Sequence, residues 1–566
     1  MCSSDLAFFG GLCRPRLRAH GAPLTEGGLK MENTGIYPYA SRRYVTLAAR
    51  GMCATSNHLA AQAGVDMLKL GGNAFDAAIA AAACLVVLEP QTNGAGGDAF
   101  AIFCQKDGKI RGMNSSGAMG RAFDLQQYID QGHKESPSYG FEPVTVPGIP
   151  AAWAAINQEY GRLPLTKVLE PAIRYAREGQ AICTITCSSI QTMANRLREN
   201  TDCGSEFDAW FQLFMPDGRL PRPGELFRNP DLADTLEKIA RSGAREYYEG
   251  EIAEKIDACS RQYGGFLRKE DLAEHQVQWV QPLSVPYHGY EVWELPPNGQ
   301  GIIALMALNI LNGFEPAPLD DPLGLHRQIE AIKLAFIDGL HYIGDPRYMA
   351  VSPEEMLSPA YGAARRRLIT EKALEPVPGN PKDPGTVYLC AADNEGNMIS
   401  YIQSNYAGFG SGIVIPGTGI AMQNRGKGFC LEPGHANAAA PGKRPYHTII
   451  PGFLTKQGKP MGPFGVMGGF MQPQGHVQVL TKLIDCGLNP QAAIDAPRWQ
   501  WTQGLQVNME PEFPAHLIEG LQQRGHKIGY DINRGAFGKG QMILATPHGT
   551  LMGGTEPRCE GACAAW

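Results

Sequence analysis

The sequence predicts an α/β chain, and three observations predict it. Apolar residues recur at helical spacing in several long segments. A β-hairpin pattern begins sharply at residue 386, after a Pro-rich stretch. With 43% hydrophobic and 19% charged residues over 566 positions, the chain has the apolar surface for a large buried core and is not disordered overall. At about 150 residues per domain the length allows roughly four units, and a single large α/β core with insertions fits equally well. Gly (68) and Pro (42) make up about a fifth of the chain, which implies many tight turns, and their spacing is too irregular for collagen.

Taken in order, the segments read as follows. Residues 1–40 are expected to be a disordered extension. Their one short apolar stretch, 6–12, precedes its arginines, the reverse of a secretory signal, so a cytoplasmic location is expected and Met31 is an alternative start. Residues 59–88 predict a helix (Leu59, Ala63, Met67, Leu68) broken at Gly71-Gly72 and continued by an Ala-rich run. Residues 151–178 predict two helices split at 161–164, and 205–270 are charged and helical in pattern. Residues 285–297 predict Pro-punctuated strands, and 325–342 a helix through Ile329, Ile332 and Phe336. Residues 375–384 predict a linker. Then 386–392 and 398–404 predict two strands joined by the turn Asp393-Asn-Glu-Gly-Asn397. The division expected is 41–385 and 386–566, after the extension.

Composition and motifs exclude several classes. The net charge of −6 and pI near 6.1 give no basic surface for nucleic acid. The longest apolar run, 77–88, falls short of the roughly 18 residues that span a bilayer, so it predicts a buried core helix. Fourteen cysteines lie scattered without a C-x-x-C; the nearest pairs, Cys183/Cys187 and Cys559/Cys563, predict reduced thiols and no metal framework. There is no G-x-S-x-G, Walker or H-E-x-x-H motif, and the loose Gly94-Ala-Gly-Gly-Asp-Ala99 match follows a helix pattern instead of a strand. Neither a cofactor nor a metal is predicted.

Chemistry is concentrated at Pro384-Gly385-Thr386, where the second predicted region opens. A flexible Gly385 can turn its carbonyl toward the Thr386 hydroxyl. An N→O acyl shift and hydrolysis would cut the chain there. The new terminus would carry a hydroxyl nucleophile and an α-amine, whose free pKa of about 7.7–8.0 suits a general base. Gly468-Gly469, ahead of a helical stretch from about residue 474, can bring backbone N–H groups to a developing oxyanion.

The combination Thr386, Asp393-x-x-Gly396-Asn397, Phe409-Gly-Ser, Thr418-Gly-Ile-Ala-Met-Gln-Asn424, Pro441-Gly-Lys-Arg-Pro445, Gly468-Gly469 and Ala496-Pro-Arg498 resembles the γ-glutamyltranspeptidase family. Upstream, Gly71-Gly-Asn-Ala-Phe-Asp-Ala77, Asn93-Gly-Ala-Gly-Gly97, Val146-Pro-Gly148, Gly161-Arg-Leu-Pro-Leu165, Lys333-Leu-Ala-Phe336 and Gly344-Asp-Pro346 agree, and the likeness spans about residues 42–531. The resemblance implies an N-terminal nucleophile hydrolase fold, a four-layer αββα sandwich. It implies self-cleavage between Gly385 and Thr386 into chains that stay interleaved. It implies a γ-glutamyl-enzyme ester, formed from glutathione or a related amide and passed to water or an amine. Ser404 aligns with the family's second Thr, whose hydroxyl bonds the nucleophile.

The departures fall where a γ-glutamyl donor would be held. Ser115 stands at the position of the family's donor-carboxylate Arg, and Gly428 at that of its Asp. Tyr406 stands at its Asn, with Asn405 adjacent, and His447-Thr448 replace its Ser-Ser pair. Arg425 and Lys427 are new positive charges. They suit a donor with a carboxylate where glutamate has its amine, as in a dicarboxylic monoacyl amide, the behaviour of some cephalosporin acylase relatives. The alternative for Arg425 is a surface or structural ion-pair residue. His447 is expected in the pocket wall or core. His58, His341 and His476 are expected to be structural, and Trp499 and Trp501 to be core. Three readings stay open: a γ-glutamyl hydrolase/transferase, an acylase of the same mechanism with another donor, and an unprocessed remnant of the fold.

Overall fold

The computed structural model describes residues 38–39, 43–376 and 385–566. Most of the expected extension and of the Pro-rich linker lies outside these residues. Two seven-stranded antiparallel sheets are stacked face to face. The first runs, in spatial order, Ala562–Ala565, Gly51–Thr55, Gly385–Asp393, Met398–Tyr406, Asp98–Cys104, Ile110–Ser115 and Gln278–Val280. The second runs Thr46–Ala48, Leu551–Thr555, Lys539–Ala545, Lys459–Met467, Gly452–Lys456, Tyr290–Glu294 and Leu283–Tyr287. Helices His58–Lys69 and Ala74–Leu88 cover the outer face of the first sheet. Helices Gly301–Leu311 and Met471–Ile484 cover that of the second, with Pro322–Tyr342 packed on both. The result is the four-layer αββα sandwich. Both sheets contain strands from before and from after residue 385.

Burial on both faces explains the sequence pattern. Every residue of Asp98–Cys104 and Met398–Tyr406 is buried, so these central strands show no regular apolar–polar alternation. The 77–88 run lies in Ala74–Leu88, a helix buried all round. Among the described residues no helix is long and apolar enough to cross a membrane.

Local signals set most boundaries. Asn57 caps the first helix; Asn73 and Asp76 form a capping box on the second, after the Gly71-Gly72 break. The 151–178 region forms three helices, Ile149–Tyr160, Leu165–Val168 and Glu170–Glu178, one more than expected, because Pro171 restarts the helix after Leu169. In the hairpin turn, Asp393 Oδ1 accepts the N–H groups of Glu395 and Asn397. Its Oδ2 accepts from Asn397 Nδ2 (2.9 Å) and from the N–H of Ala74 (3.0 Å). One carboxylate thus ties the turn to the start of the Ala-rich helix, a reason for Asp and Asn at those two places.

Candidate active site

Thr386 sits at an irregularity in the central hairpin. Gly385 pairs with Tyr406 and Val387 with Gln403, so Thr386 alone faces both Ser404 and Asn405. Such a bulge bends the strand and re-aims a side chain. The Thr386 hydroxyl lies 3.4 Å from Ser404 Oγ and accepts from Gln472 Nε2 at 3.4 Å. Each partner is held in turn. Ser404 Oγ accepts the Tyr406 N–H at 2.8 Å, and Gln472 Oε1 accepts the Ile450 N–H at 3.0 Å. Thr386 is 2% exposed, so a reacting group would meet little water there.

Gln472 belongs to the first turn of helix Met471–Ile484, and Gly468-Gly469 directly precede that helix. Their φ angles of +134° and +53° suit glycine. A Cβ on Gly468 would stand 3.0 Å from the Gly538 Cα. The Gly469 carbonyl accepts from Gln300 Nε2 at 2.7 Å, which fixes its peptide plane. Through Gln472 the Thr386 hydroxyl is tied to the positive end of a 14-residue helix, with the glycine turn just ahead of it. Both favour a developing oxyanion.

Arg425 is the most unusual group in the site. It is wholly buried, and its Nη1 donates to Thr448 Oγ1 at 2.9 Å. Its guanidinium lies 4.3 Å above the Tyr406 ring. Among the described residues its Nε and Nη2 have no hydrogen-bond partner. Burial pushes its pKa down to about 10, against the pull of Asp98 and Tyr406. A buried guanidinium short of an anion is costly. Tyr406, which reaches under it, is held at φ +77°, a conformation strained for a tyrosine. The Asn405 amide is buried too, with neither atom hydrogen-bonded among the described residues.

Behind Arg425 lies a buried Asp98–His447 pair. His447 Nδ1 accepts the Ile449 N–H (3.4 Å), so the ring proton is on Nε2 and is donated to Asp98 Oδ2 at 3.0 Å. Asp98 Oδ1 accepts from Gln423 Nε2 and the Gly117 N–H. Burial lifts the Asp98 carboxyl to about 7, although Arg425 and these donors pull it down. Burial, then the Arg425 charge, holds His447 well below its usual range. The ring packs on Phe100 at 4.6 Å, so His447 and Thr448 both line the wall of this polar core.

The structure does not bring every expected residue to Thr386. Ser115 pairs with Ala99, which pairs with Gln403, and Gln403 points to the helix layer, where its Nε2 donates to the Ala82 carbonyl. Ser115 shares that face. Its hydroxyl donates to the Gly148 carbonyl (2.7 Å) and meets His275 Nε2 at 3.2 Å, holding loop and helix together. On the face of Thr386 and Ser404 the residue is Asn114, in register with Phe100 and bonded to Asn298. A one-residue offset in a strand moves a side chain to the opposite face. Lys427 also points away: it pairs with Glu135 (3.0 Å) and donates to the Ser136 carbonyl. Arg425 is neither a surface residue nor part of an ion pair within 4 Å among the described residues. His476 and the two tryptophans are buried, with His476 bonded to Glu294 and to the Val466 N–H.

Sequence reasoning missed Asp98 and Gln472. Asp98 ends a glycine loop and opens an apolar strand, a local signal for a buried acid. Gln472 carries no signal beyond its place after Gly468-Gly469. One group of three possible metal ligands occurs among the described residues: His326, Glu330 and His526. It is knit by a 2.8 Å His326–His526 contact and by Lys333, whose Nζ donates to Glu330 at 2.7 Å, so a lysine already supplies the cation there.

A family model described as gamma-glutamyltranspeptidase matches residues 60–566. The chain is 35% identical to the glutathione hydrolase-like YwrD proenzyme of Bacillus subtilis, over 91% of this chain and 98% of that one. It is 34% identical to the oxamate amidohydrolase proenzyme of Klebsiella pneumoniae, over 92% and 99%. Among solved structures, a cephalosporin acylase from Bacillus halodurans is 54% identical, with a TM-score of 0.90, over 94% of this chain and 98% of that one.

Proposed function

Since this chain belongs to the γ-glutamyltranspeptidase family of hydrolases and acyltransferases, we propose that it cuts itself before Thr386 and then cleaves amides whose acyl part carries a carboxylate. Once cut, the Thr386 α-amine takes the proton of its own hydroxyl as Oγ1 attacks the amide carbon. The negative charge on the carbonyl oxygen is met at Gly468-Gly469 and the helix terminus behind them. The amine returns the proton to the leaving nitrogen as the C–N bond breaks. Water, or an acceptor amine, then attacks the ester by the same route in reverse and frees Thr386. Ser404 and Gln472 orient the hydroxyl throughout.

The observation that carries the donor assignment is Arg425, a buried cation with two nitrogens lacking partners among the described residues. A donor carboxylate would supply the missing anion in a charge-assisted, bidentate geometry. Glutathione and other γ-glutamyl amides also carry such a carboxylate, and they remain the second reading, favoured by the family and by the likeness to the glutathione hydrolase-like relative. They add an α-ammonium, which needs an acid. The carboxyl whose charge acts on Arg425 is Asp98, already engaged by His447, Gln423 and Gly117. Dicarboxylic monoacyl groups such as glutaryl need no such partner, and the likeness to a cephalosporin acylase supports them. Intact mass and N-terminal sequencing test the first step: two chains are expected, the smaller beginning at Thr386, and one chain of 61.2 kDa for Thr386→Ala. Side-by-side turnover of glutaryl and γ-glutamyl anilides tests the second. A clear preference for the γ-glutamyl compound overturns the donor assignment, and an uncut, inactive wild type overturns the whole reading.

A further inference from the structure

Arg425 and Asp98 share a closed polar core, and no hydrogen bond joins them. Arg425 bonds only to Thr448, while the Asp98 carboxylate bonds to His447, Gln423 and Gly117. Both side chains are wholly buried, and each is the strongest charge acting on the other. The other ionisable groups that act on Asp98 among the described residues are already settled. His447 is neutral, because its Nδ1 accepts the Ile449 N–H and burial, then Arg425, keeps a second proton off the ring. Arg444 donates to the Ser116 carbonyl, and the acid that acts on it most is Asp345. Tyr247 and Tyr248 donate to the Ala95 and Pro147 carbonyls, and burial keeps both protonated. The free core therefore sets one cation, Arg425, against one acid, Asp98.

A donor carboxylate on Nε and Nη2 of Arg425 changes that count. Two carboxylates would then share one guanidinium in a medium where an uncompensated charge is costly. The donor holds the bidentate face, so the second acid is the one to be neutralised. Asp98 Oδ2 and His447 Nε2 lie 3.0 Å apart, and a proton between them belongs to the pair. A donor with an α-ammonium would bring its own cation, call for no proton, and find the Asp98 oxygens taken. We propose that the Asp98–His447 pair takes up one proton whenever a donor carboxylate docks on Arg425, and that Asp98 thereby selects acyl groups that carry a carboxylate without an ammonium. The proposal deepens the donor reading above and rests on it. Burial sets the Asp98 carboxyl of the free core at about 7, against the pull of Arg425. Above that pH the proton must be taken up on docking; below it the proton is already in place. Affinity for such a donor should fall about ten-fold per pH unit above 7 and level off below it.

Calorimetric titration of the purified protein with 5-oxohexanoate reads the proton directly, since this ligand has a ketone in place of the donor amide and is not cleaved. Heats in two buffers of different ionisation enthalpy should give about one proton taken up per ligand at pH 8.5 and almost none at pH 6. Asp98→Asn, isosteric with the protonated acid, should bind the ligand with no uptake and no pH slope, and self-cleavage seen by mass shows that the variant folds. The wild-type proton count stands without that variant. The same chain with an α-ammonium, 5-oxonorleucine, should bind without uptake or not at all. Three results overturn the proposal and leave the donor reading standing: binding of 5-oxohexanoate without uptake at pH 8.5, uptake that persists in Asp98→Asn, or a full proton taken up with 5-oxonorleucine. No binding of 5-oxohexanoate at either pH overturns the donor reading and the proposal together.

Discussion

Replacing Arg425 with Met gives the sharpest test of the site. The side chain is buried, stacked 4.3 Å over Tyr406 and bonded through Nη1 to Thr448, with Nε and Nη2 left over. Removing one partner of a buried, hydrogen-bonded charge pair typically costs about 2–5 kcal/mol. At about 1.4 kcal/mol per factor of ten, that is roughly 30- to several-thousand-fold in kcat/KM. The loss should appear with glutaryl p-nitroanilide. The valeryl analogue, of equal length and without the carboxylate, should be unaffected or improved, since a buried charge next to its apolar end has gone. Met fills similar volume, and Asp98 adjusts by staying protonated, because the cation that pulled its pKa down has gone. Self-cleavage seen by mass confirms that the variant folds. Equal losses on the two anilides would mean that Arg425 supports the architecture, and no loss on either would mean that the carboxylate sits elsewhere; either result refutes the argument.

Two further expectations concern the surroundings. Ser115→Ala should leave donor KM within about two-fold, because the hydroxyl faces the helix layer and bonds Gly148; a large rise in KM measured with the same anilides would restore Ser115 to the donor pocket. His476 accepts the Val466 N–H at Nε2 and so stays neutral, and burial pushes its pKa down to about 3. The unfolded chain, with an ordinary histidine near 6.5, then binds one more proton than the folded one between those values. This costs stability as pH falls through that window, by about 1.4 kcal/mol per pH unit. In the uncut Thr386→Ala background, His476→Asn should remove that slope from urea midpoints measured between pH 4 and 6; parallel curves with and without the histidine would contradict the assignment.

Features with a local cause were legible in the sequence. The hairpin after residue 385, the caps at Asn57 and Asn73, and the glycine pair before a helix follow from turn chemistry and periodicity. What the sequence hid is long-range. Asp98 and His447 are 349 residues apart and meet only in the folded chain. A surface cleft likewise joins helix Thr184–Asn200 to residues beyond 530. Ser115 shows a different limit: counting along the chain locates a position, but only the pairing of Ile110–Ser115 with its neighbour tells which face it serves. Arg425 was visible as an unexpected charge, and its burial and missing anion were not.

The mixing of early and late strands within each sheet would give a self-cut form of the protein an unusual memory of its origin. In the first sheet Gly385–Asp393 is flanked by Gly51–Thr55 on one side and Met398–Tyr406 on the other, so breaking the bond at Gly385 frees no lobe and exposes no interface. The folded state is nearly indifferent to the cut; the unfolded state is not. Before it, folding is a one-molecule event with fixed stoichiometry. After it, two chains would have to find each other, each carrying half-sheets with open edges that invite mispairing. The proposed cut would therefore turn a reversible folding equilibrium into a one-way commitment, and the lifetime of the cut protein would be set by how slowly it opens.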